Sequence, residues 1–339
     1  MRDILRTPVT SEAAWTADRW VSDRSWIHAL TSAEVEEIDA ALQRVKAMPL
    51  AAIGREDFAL PGVAARLARI VDELEGGRGF VMLRGLPAAR YGMDALYRIY
   101  WGLSVHLGIP ISQNSRGEKI AQVRDYGTDY GRANVRGHTS NDAIYPHCDT
   151  SDVVGLLCVH PAKSGGASTV ASAMTVYNTL LAEHPEFLEP LASGFQINLA
   201  GKGPTGRLDE VTRNHVPVFS YFGGVLSCRY NEKQTLDGAT LTGRTLTALE
   251  RAAIAAVGEI AMRPGIRFDM DFQPGDIQYL NNHAILHART AFEDWPEPER
   301  RRCLLRLWMN MRNGRPLAPE FADRLNTGPR GEVAVQPGA

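Results

Sequence analysis

The chain has 339 residues, 44% of them apolar and 22% charged, a composition that excludes a disordered or fibrous polypeptide and fits one large domain or two ordinary ones. Its 37 basic and 39 acidic residues leave a formal net charge of −2, so there is no cationic excess to neutralise a nucleic-acid backbone or an anionic membrane surface. A small-molecule role is the default expectation.

The first thirty residues carry charges throughout, which argues against a signal peptide, and no stretch approaches the roughly 20 apolar residues of a membrane span. Four cysteines, Cys148, Cys158, Cys228 and Cys303, show no CxxC pair or short regular spacing. That disfavours a zinc finger or a disulfide framework and fits reduced thiols in a cytoplasmic protein.

In chain order, Thr31-Ser32-Ala33-Glu34 reads as a capping box that opens a helix near Ser32, with Val35, Ile38, Leu42 and Val45 on one face. A second short helical run follows the Pro61-Gly62 turn. Residues 79–84 form an apolar strand stopped by Gly85 and Pro87. A further helix spans about 93–107 and ends at Gly108-Ile109-Pro110.

From Ala143 the texture becomes short β-rich segments (153–159, 168–172, 216–221, 225–230, 266–272, 277–280 and 303–309) separated by Gly/Pro turns. This predicts a sheet folded on itself, a sandwich or barrel, within an α+β layout. Two helices interrupt it, one over 174–182 with Ser172 as a cap, the other over 246–261 with Leu249, Ile254, Val257 and Ile260 inward. No repeat or long linker divides the chain. We expect one catalytic domain, with a helical extension over 1–78, a core over 79–311 and a surface arm over 312–339 carrying four prolines.

The chemistry begins at Tyr145-Pro146-His147-Cys148-Asp149. On an extended segment residues i and i+2 share a face, so His147 and Asp149 would offer an imidazole and a carboxylate side by side. About 140 residues later, a Pro274-Gly275-Asp276 turn feeds an apolar strand that leads to His287. Two histidines and one carboxylate on one face of a six-coordinate ion leave three positions open, the arrangement of non-haem Fe(II) oxygenases. The run Arg300-Arg301-Arg302-Cys303-Leu304-Leu305-Arg306-Leu307-Trp308 would place Arg302, Leu304, Arg306 and Trp308 on one strand face. An inward arginine needs an anionic partner, which a dicarboxylate would supply through a bidentate fork.

The HxD motif, then Gly165-Gly166-Ala167-Ser168, then Asn282 to Arg289 as NxxxxHxR, then Arg301 to Arg306 as RRxxxR, taken together, resemble the taurine dioxygenase and clavaminate synthase-like branch of the Fe(II)/2-oxoglutarate-dependent dioxygenases. The likeness spans about 79–310. It implies a double-stranded β-helix, a cupin-like jelly roll with flanking helices. It also implies His147, Asp149 and His287 as ligands of Fe(II), and 2-oxoglutarate and O2 as cosubstrates.

Arg302 would pair with the distal carboxylate of 2-oxoglutarate, with Arg301 as the alternative. Ser168 or its neighbour Thr169, whose side chains face opposite ways on a strand, would help. Arg306 matches an arginine that contacts an acidic substrate or supports the cosubstrate. Asn282 and Arg289 would orient His287 or the cosubstrate, while His283 reads as a pocket or structural residue.

The implied reaction oxidises an unactivated C–H bond of a small, anionic or amino-acid-like molecule, releasing succinate and CO2. Hydroxylation is expected, with desaturation or cyclisation open. Asp149 in the carboxylate position argues against halogenation. The polar stretch 111–144 reads as a lid, with Tyr126, Tyr130 and Arg136 as substrate contacts. Two alternatives use the same residues: a zinc-type metal hydrolase and a non-catalytic binding module. No membrane or nucleic-acid partner is expected, and a homo-oligomer is allowed.

Overall fold

A computed structural model describes residues 3–127 and 140–337. The N-terminal part runs α1 (Asp18–Ser22), β1 (Ile27–Ala29), α2 (Ser32–Val45) and α3 (Ala64–Glu75). Next come β2 (Phe80–Arg84), α4 (Met93–Leu107), β3 (Ile109–Ile111), β4 (Ile120–Val123) and β5 (Ile144–His147). The middle holds β6 (Val153–His160), β7 (Ser164–Gly165), β8 (Ser168–Ser172), α5 (Ala173–Glu183), α6 (Leu188–Ser193), β9 (Phe219–Phe222) and β10 (Val225–Cys228). Then follow α7 (Glu232–Leu241), α8 (Ala248–Ala261), β11 (Phe268–Met270), β12 (Ile277–Asn281), β13 (Ile285–Arg289), β14 (Phe292–Glu293), β15 (Cys303–Asn310) and α9 (Pro319–Ala322).

Among the described residues, a seven-stranded sheet has the order β1-β2-β12-β6-β15-β3, with β4 also on β15. A four-stranded sheet has the order β11-β8-β13-β5. Strand alternation divides the apolar side chains into layers. Val81, Leu83, Leu157, Ile277, Tyr279, Leu305 and Leu307 pack with α2, α3 and α4. Phe80, Met82, Val154, Leu280 and Trp308 point the other way and share a cluster with Val170, Phe268, Met270 and Ile285 of the smaller sheet. Ala171 and Leu286 on that sheet's far side pack under α5, α6 and α8. Both sheets are therefore covered on both faces, so their strands read as continuous apolar runs.

The expected helix starts are present. Thr31 and Glu34 form the capping box of α2, and the Ser172 hydroxyl accepts from the Thr175 amide at the start of α5. Leu249 is a correction: it lies 45% exposed, because it stands in the first turn of α8, at the edge of the stripe that Ala253, Ile254, Val257 and Ile260 bury. Helices α6 and α7 were not anticipated, since α6 spans under two turns and α7 mixes threonine and glycine into its face. The four cysteines are free and buried. No described helix is long and apolar enough to cross a membrane.

The expected surface arm is also corrected. Phe321, Leu325 and Val333 are buried, the last two in the cluster between the sheets. Ser112 ties the segment down by donating its hydroxyl to the Val333 carbonyl and its amide to Glu332.

Helix α4 docks through a glycine. A Cβ at Gly102 would lie 2.3–2.6 Å from three ring atoms of Phe58, which is fully buried. Alanine favours helices by up to about 1 kcal/mol over glycine, but overpacking a closed core costs about 1–3 kcal/mol. Gly102→Ala is thus expected to lower the urea unfolding midpoint, and an unchanged midpoint would show that Phe58 yields freely.

Candidate metal centre

Strands β5 and β13 are antiparallel neighbours with His147 opposite His287. This register brings the two imidazoles side by side, with ring centroids 4.3 Å apart and planes tilted by 40°. Asp149 lies two residues beyond His147, and the donor atoms of His147, Asp149 and His287 all fall within 4.8 Å of one another. The His147 Nδ1–H donates to the Tyr145 carbonyl at 2.9 Å, which leaves Nε2 free of its proton and able to bind a metal. The His287 Nε2 is buried with no hydrogen-bond partner among the described residues. Two imidazole nitrogens and one carboxylate are a donor set that suits ferrous iron.

Asp149 is fixed from three sides. Its amide donates to Asn282 Oδ1 at 2.9 Å, the Trp308 indole N–H donates to Oδ2 at 2.9 Å, and Arg306 Nη1 lies 3.6 Å from Oδ2. Burial alone would raise its pKa, but Arg306, the two histidines and Trp308 hold the carboxyl well below the usual carboxylate range. Burial and His147 push His287 down to about 3, and burial also lowers His147. All three groups stand at neutral pH in the protonation state a metal requires.

The cleft beside this cluster, about 500 Å³ with its open mouth, is lined among others by Ser168, Phe272, Arg289, Arg302, Leu304 and Arg306. Arg302 is buried, its guanidinium 5.0 Å over Phe292, and its Nη1 has no hydrogen-bond partner among the described residues. Burial drags its pKa below the ordinary guanidinium value, the mark of a cation short of an anion. Gly166, at φ 74°, makes room for it: a Cβ there would come 3.1 Å from Arg302 Nε. Arg301 is exposed and donates to the Trp295 and Pro296 carbonyls. Ser168 lines the cleft and donates to Gln278 Oε1 at 3.0 Å, whereas Thr169 faces away and donates to Asp269 at 2.5 Å.

The other expected residues have partners of their own. Arg306 donates to Gln113 Oε1 at 2.8 Å as well as facing Asp149. Asn282 holds the Asp149 loop rather than His287, reaching Ser151 Oγ at 3.0 Å with its amide. Arg289 donates to the Ser140 and Asp142 carbonyls and so ties β13 to the entry of β5. Tyr126 is exposed and does not line the cleft. Tyr130 and Arg136 lie outside the described residues.

Asp152 is a buried neighbour of the cluster that sequence reasoning missed. It is fully buried and accepts from His283 Nε2 and Arg324 Nη1, each at 3.0 Å, from the Met311 amide at 2.9 Å, and from Arg330. The Asn282 amide donates to its carbonyl at 2.9 Å. The segments bearing Asp149 and His287 are thereby joined to each other and to the chain beyond β15. The two arginines already neutralise Asp152, so burial keeps His283 neutral, its pKa pushed down to about 4.

This shift sets a pH dependence. The unfolded chain, with a histidine near 6.5, binds a proton that the folded chain refuses until about pH 4. The stability at stake is fully present above pH 6.5 and is lost as pH falls from there toward 4. We expect the unfolding free energy of the metal-free protein to decline across that window, by up to about 1.4 kcal/mol per pH unit from this group. His283→Gln should flatten the decline, and an identical profile in the variant would count against the assignment.

Residues 44–308 match the family described as Taurine catabolism dioxygenase TauD, TfdA family. The chain is 34% identical over 335 residues to FR-33289 synthase of Streptomyces rubellomurinus, with 96% of each chain covered. It is 27% identical over 321 residues to the taurine hydroxylase-like protein SAT17 of Stachybotrys chartarum, covering 89% of this chain and 80% of the relative. Among solved structures, asparagine oxygenase in complex with Fe(II), 2S,3S-3-hydroxyasparagine and succinate superposes with a TM-score of 0.66 at 16% identity, covering 84% of this chain and 94% of that one. The last likeness is one of fold.

Proposed function

From the premise that this chain belongs to the TauD/TfdA family, and is an Fe(II)/2-oxoglutarate-dependent dioxygenase, we propose that it hydroxylates a C–H bond of a small, anionic or amino-acid-like molecule. His147, Asp149 and His287 are the ligands of the iron, and Arg302 with Ser168 receives the distal carboxylate of 2-oxoglutarate. The two covered sheets are the halves of a double-stranded β-helix, with the iron at its open end.

The single observation that carries the reading is the pairing of three convergent donor atoms with a buried guanidinium in the same cleft whose Nη1 lacks a partner among the described residues. When bound, iron with 2-oxoglutarate and O2 supplies the oxidising power, and the keto acid leaves as succinate and CO2. The protein's part is placement. Trp308 and Arg306 hold the Asp149 carboxylate ionised and aimed, and the Tyr145 carbonyl holds His147 in the tautomer that presents Nε2. The apolar lining from Val123, Ile144, Leu156, Phe272 and Leu304 keeps water from the reacting bond. Hydroxylation of amino-acid-like compounds is consistent with the hydroxyasparagine named for the asparagine oxygenase.

The test is spectroscopic first and chemical second. Under anaerobic conditions Fe(II) and 2-oxoglutarate together should produce a weak visible charge-transfer band, and O2 should then yield succinate in step with oxidation of one member of a panel of amino acids, sulfonates and phosphonates. A protein loaded with Fe(II) that shows no band with 2-oxoglutarate would refute the proposal.

A further inference from the structure

The match to the family ends at residue 308, yet the chain beyond β15 reaches back to the loop that bears Asp149. Arg324 and Arg330 are its contribution. Arg324 Nη1 donates to Asp152 Oδ1 at 3.0 Å, and Arg330 donates to Oδ2. The Asp152 side chain is 1% exposed and that of Arg324 2%. His283 Nε2 and the Met311 amide complete the ring of donors. Burial would raise the Asp152 pKa, but His283, Arg324 and Arg330 hold the carboxyl well below the usual carboxylate range.

The backbone is bent to deliver Arg330. Among the described residues only Ala200, Asn326 and Arg330 combine a Cβ with positive φ, and two of the three stand in this segment, Asn326 at 61° and Arg330 at 54°. A residue with a Cβ avoids that left-handed region, and such strain persists where surrounding contacts over-determine it. They do so here. The Arg330 amide donates to the Ala322 carbonyl at 2.9 Å, the Asn326 side-chain amide donates to the Val211 carbonyl at 3.0 Å, and the Ser112 hydroxyl holds the Val333 carbonyl.

From Asp152 two hydrogen bonds lead to Asp149. The Asp152 carbonyl accepts from the Asn282 amide at 2.9 Å, and Asn282 Oδ1 accepts from the Asp149 amide at 2.9 Å. Asn282 Nδ2 donates to Ser151 Oγ at 3.0 Å, so Asn282 clips residues 149–152 together from a seat on the Asp152 carbonyl. The Asp152 amide donates to the Met309 carbonyl at 3.1 Å, which ties the same residue to the strand whose Arg306 and Trp308 hold the Asp149 carboxylate. With both carboxylate oxygens held, Asp152 is fixed and its carbonyl with it. We infer that Arg324 and Arg330 are positioning residues for the metal centre: by anchoring Asp152 they fix the main chain at Asp149 and so set the affinity of the three-donor cluster for its ion. Neither arginine lines the cleft; both act through Asp152 and Asn282.

This inference rests on the proposed function, which takes His147, Asp149 and His287 as the ligands, and the experiment separates the two. The full chain is titrated anaerobically with Fe(II) alone, its affinity read by competition with a chromophoric chelator. The visible band is then recorded with 2-oxoglutarate at saturating iron, and the urea midpoint is measured on the metal-free protein. Arg330→Gly removes the guanidinium and suits the left-handed backbone. It should weaken Fe(II) binding about 10- to 100-fold, the range typical of residues that orient a metal ligand, and shift the band. Arg330→Lys, which keeps a cation for Asp152, should recover most of the affinity. Gly102→Ala, which disturbs the core between the larger sheet and the N-terminal helices, should keep the wild-type affinity and band whatever its midpoint. Fe(II) affinity unchanged or the band unmoved in Arg330→Gly, no recovery in Arg330→Lys, or an equal loss in Gly102→Ala would each overturn the inference. Failure of Arg330→Gly to fold would overturn it too, by showing the arginine to be structural only. Wild-type protein that takes up no Fe(II), or shows no band once loaded, would instead refute the proposed function.

Discussion

Asp149→Ala is expected to abolish succinate release, lowering kcat/KM by more than about 10³-fold, or about 4 kcal/mol at the transition state. The carboxylate is the one anionic donor in a cluster whose other two members are neutral imidazoles. Its loss also strands the Trp308 indole N–H and removes the negative charge that Arg306 faces. Both the visible band and the turnover should therefore disappear together. Asp149→Asn, which keeps an acceptor for Trp308, should fold more stably than the alanine variant and still bind iron weakly. Turnover of Asp149→Ala within tenfold of wild type, at saturating iron, would show that the carboxylate is not a ligand.

Arg302→Ala is expected to leave iron binding intact and raise the KM for 2-oxoglutarate. Truncating one partner of a buried, hydrogen-bonded charge pair costs about 2–5 kcal/mol, which corresponds to about 30- to 5,000-fold in affinity. Arg302→Lys should recover part of the affinity only, since an ammonium cannot reproduce the planar fork. Arg301→Ala is the internal control: that side chain is exposed and bonded to two carbonyls of its own turn, so its KM should match the wild type. If Arg301→Ala raised KM and Arg302→Ala did not, the cosubstrate would lie outside this cleft.

These two variants probe residues of different legibility. His147 and Asp149 were readable because their chemistry is local: HxD on an extended segment places two ligands on one face whatever surrounds it, whereas His287, about 140 residues later, entered as the third donor from a second segment. The choice between Arg301 and Arg302 was readable only as a pair of options. The turn over Pro298–Arg300 sets where the strand begins and hence the phase of its alternation, and one residue of phase exchanges inside for outside. Ser168 and Thr169 were ambiguous for the same reason, and the pairing of Thr169 with Asp269 across β8 and β11 turns Thr169 away from the cleft.

Thus the amino-acid sequence by itself determined the caps of α2 and α5, the period-two faces of the strands, the types of metal donor and the family. Tertiary structure alone decided that His147 lies opposite His287 and that Arg306 and Trp308 grip Asp149. It alone decided, too, that Arg324 and Arg330, from a segment expected at the surface, neutralise Asp152. The division has a physical cause. Propensity, capping and alternation act between residues a few positions apart, whereas a buried charge finds its partner through strand register and chain crossings that join positions more than a hundred residues apart, and no local pattern records which pairs will meet.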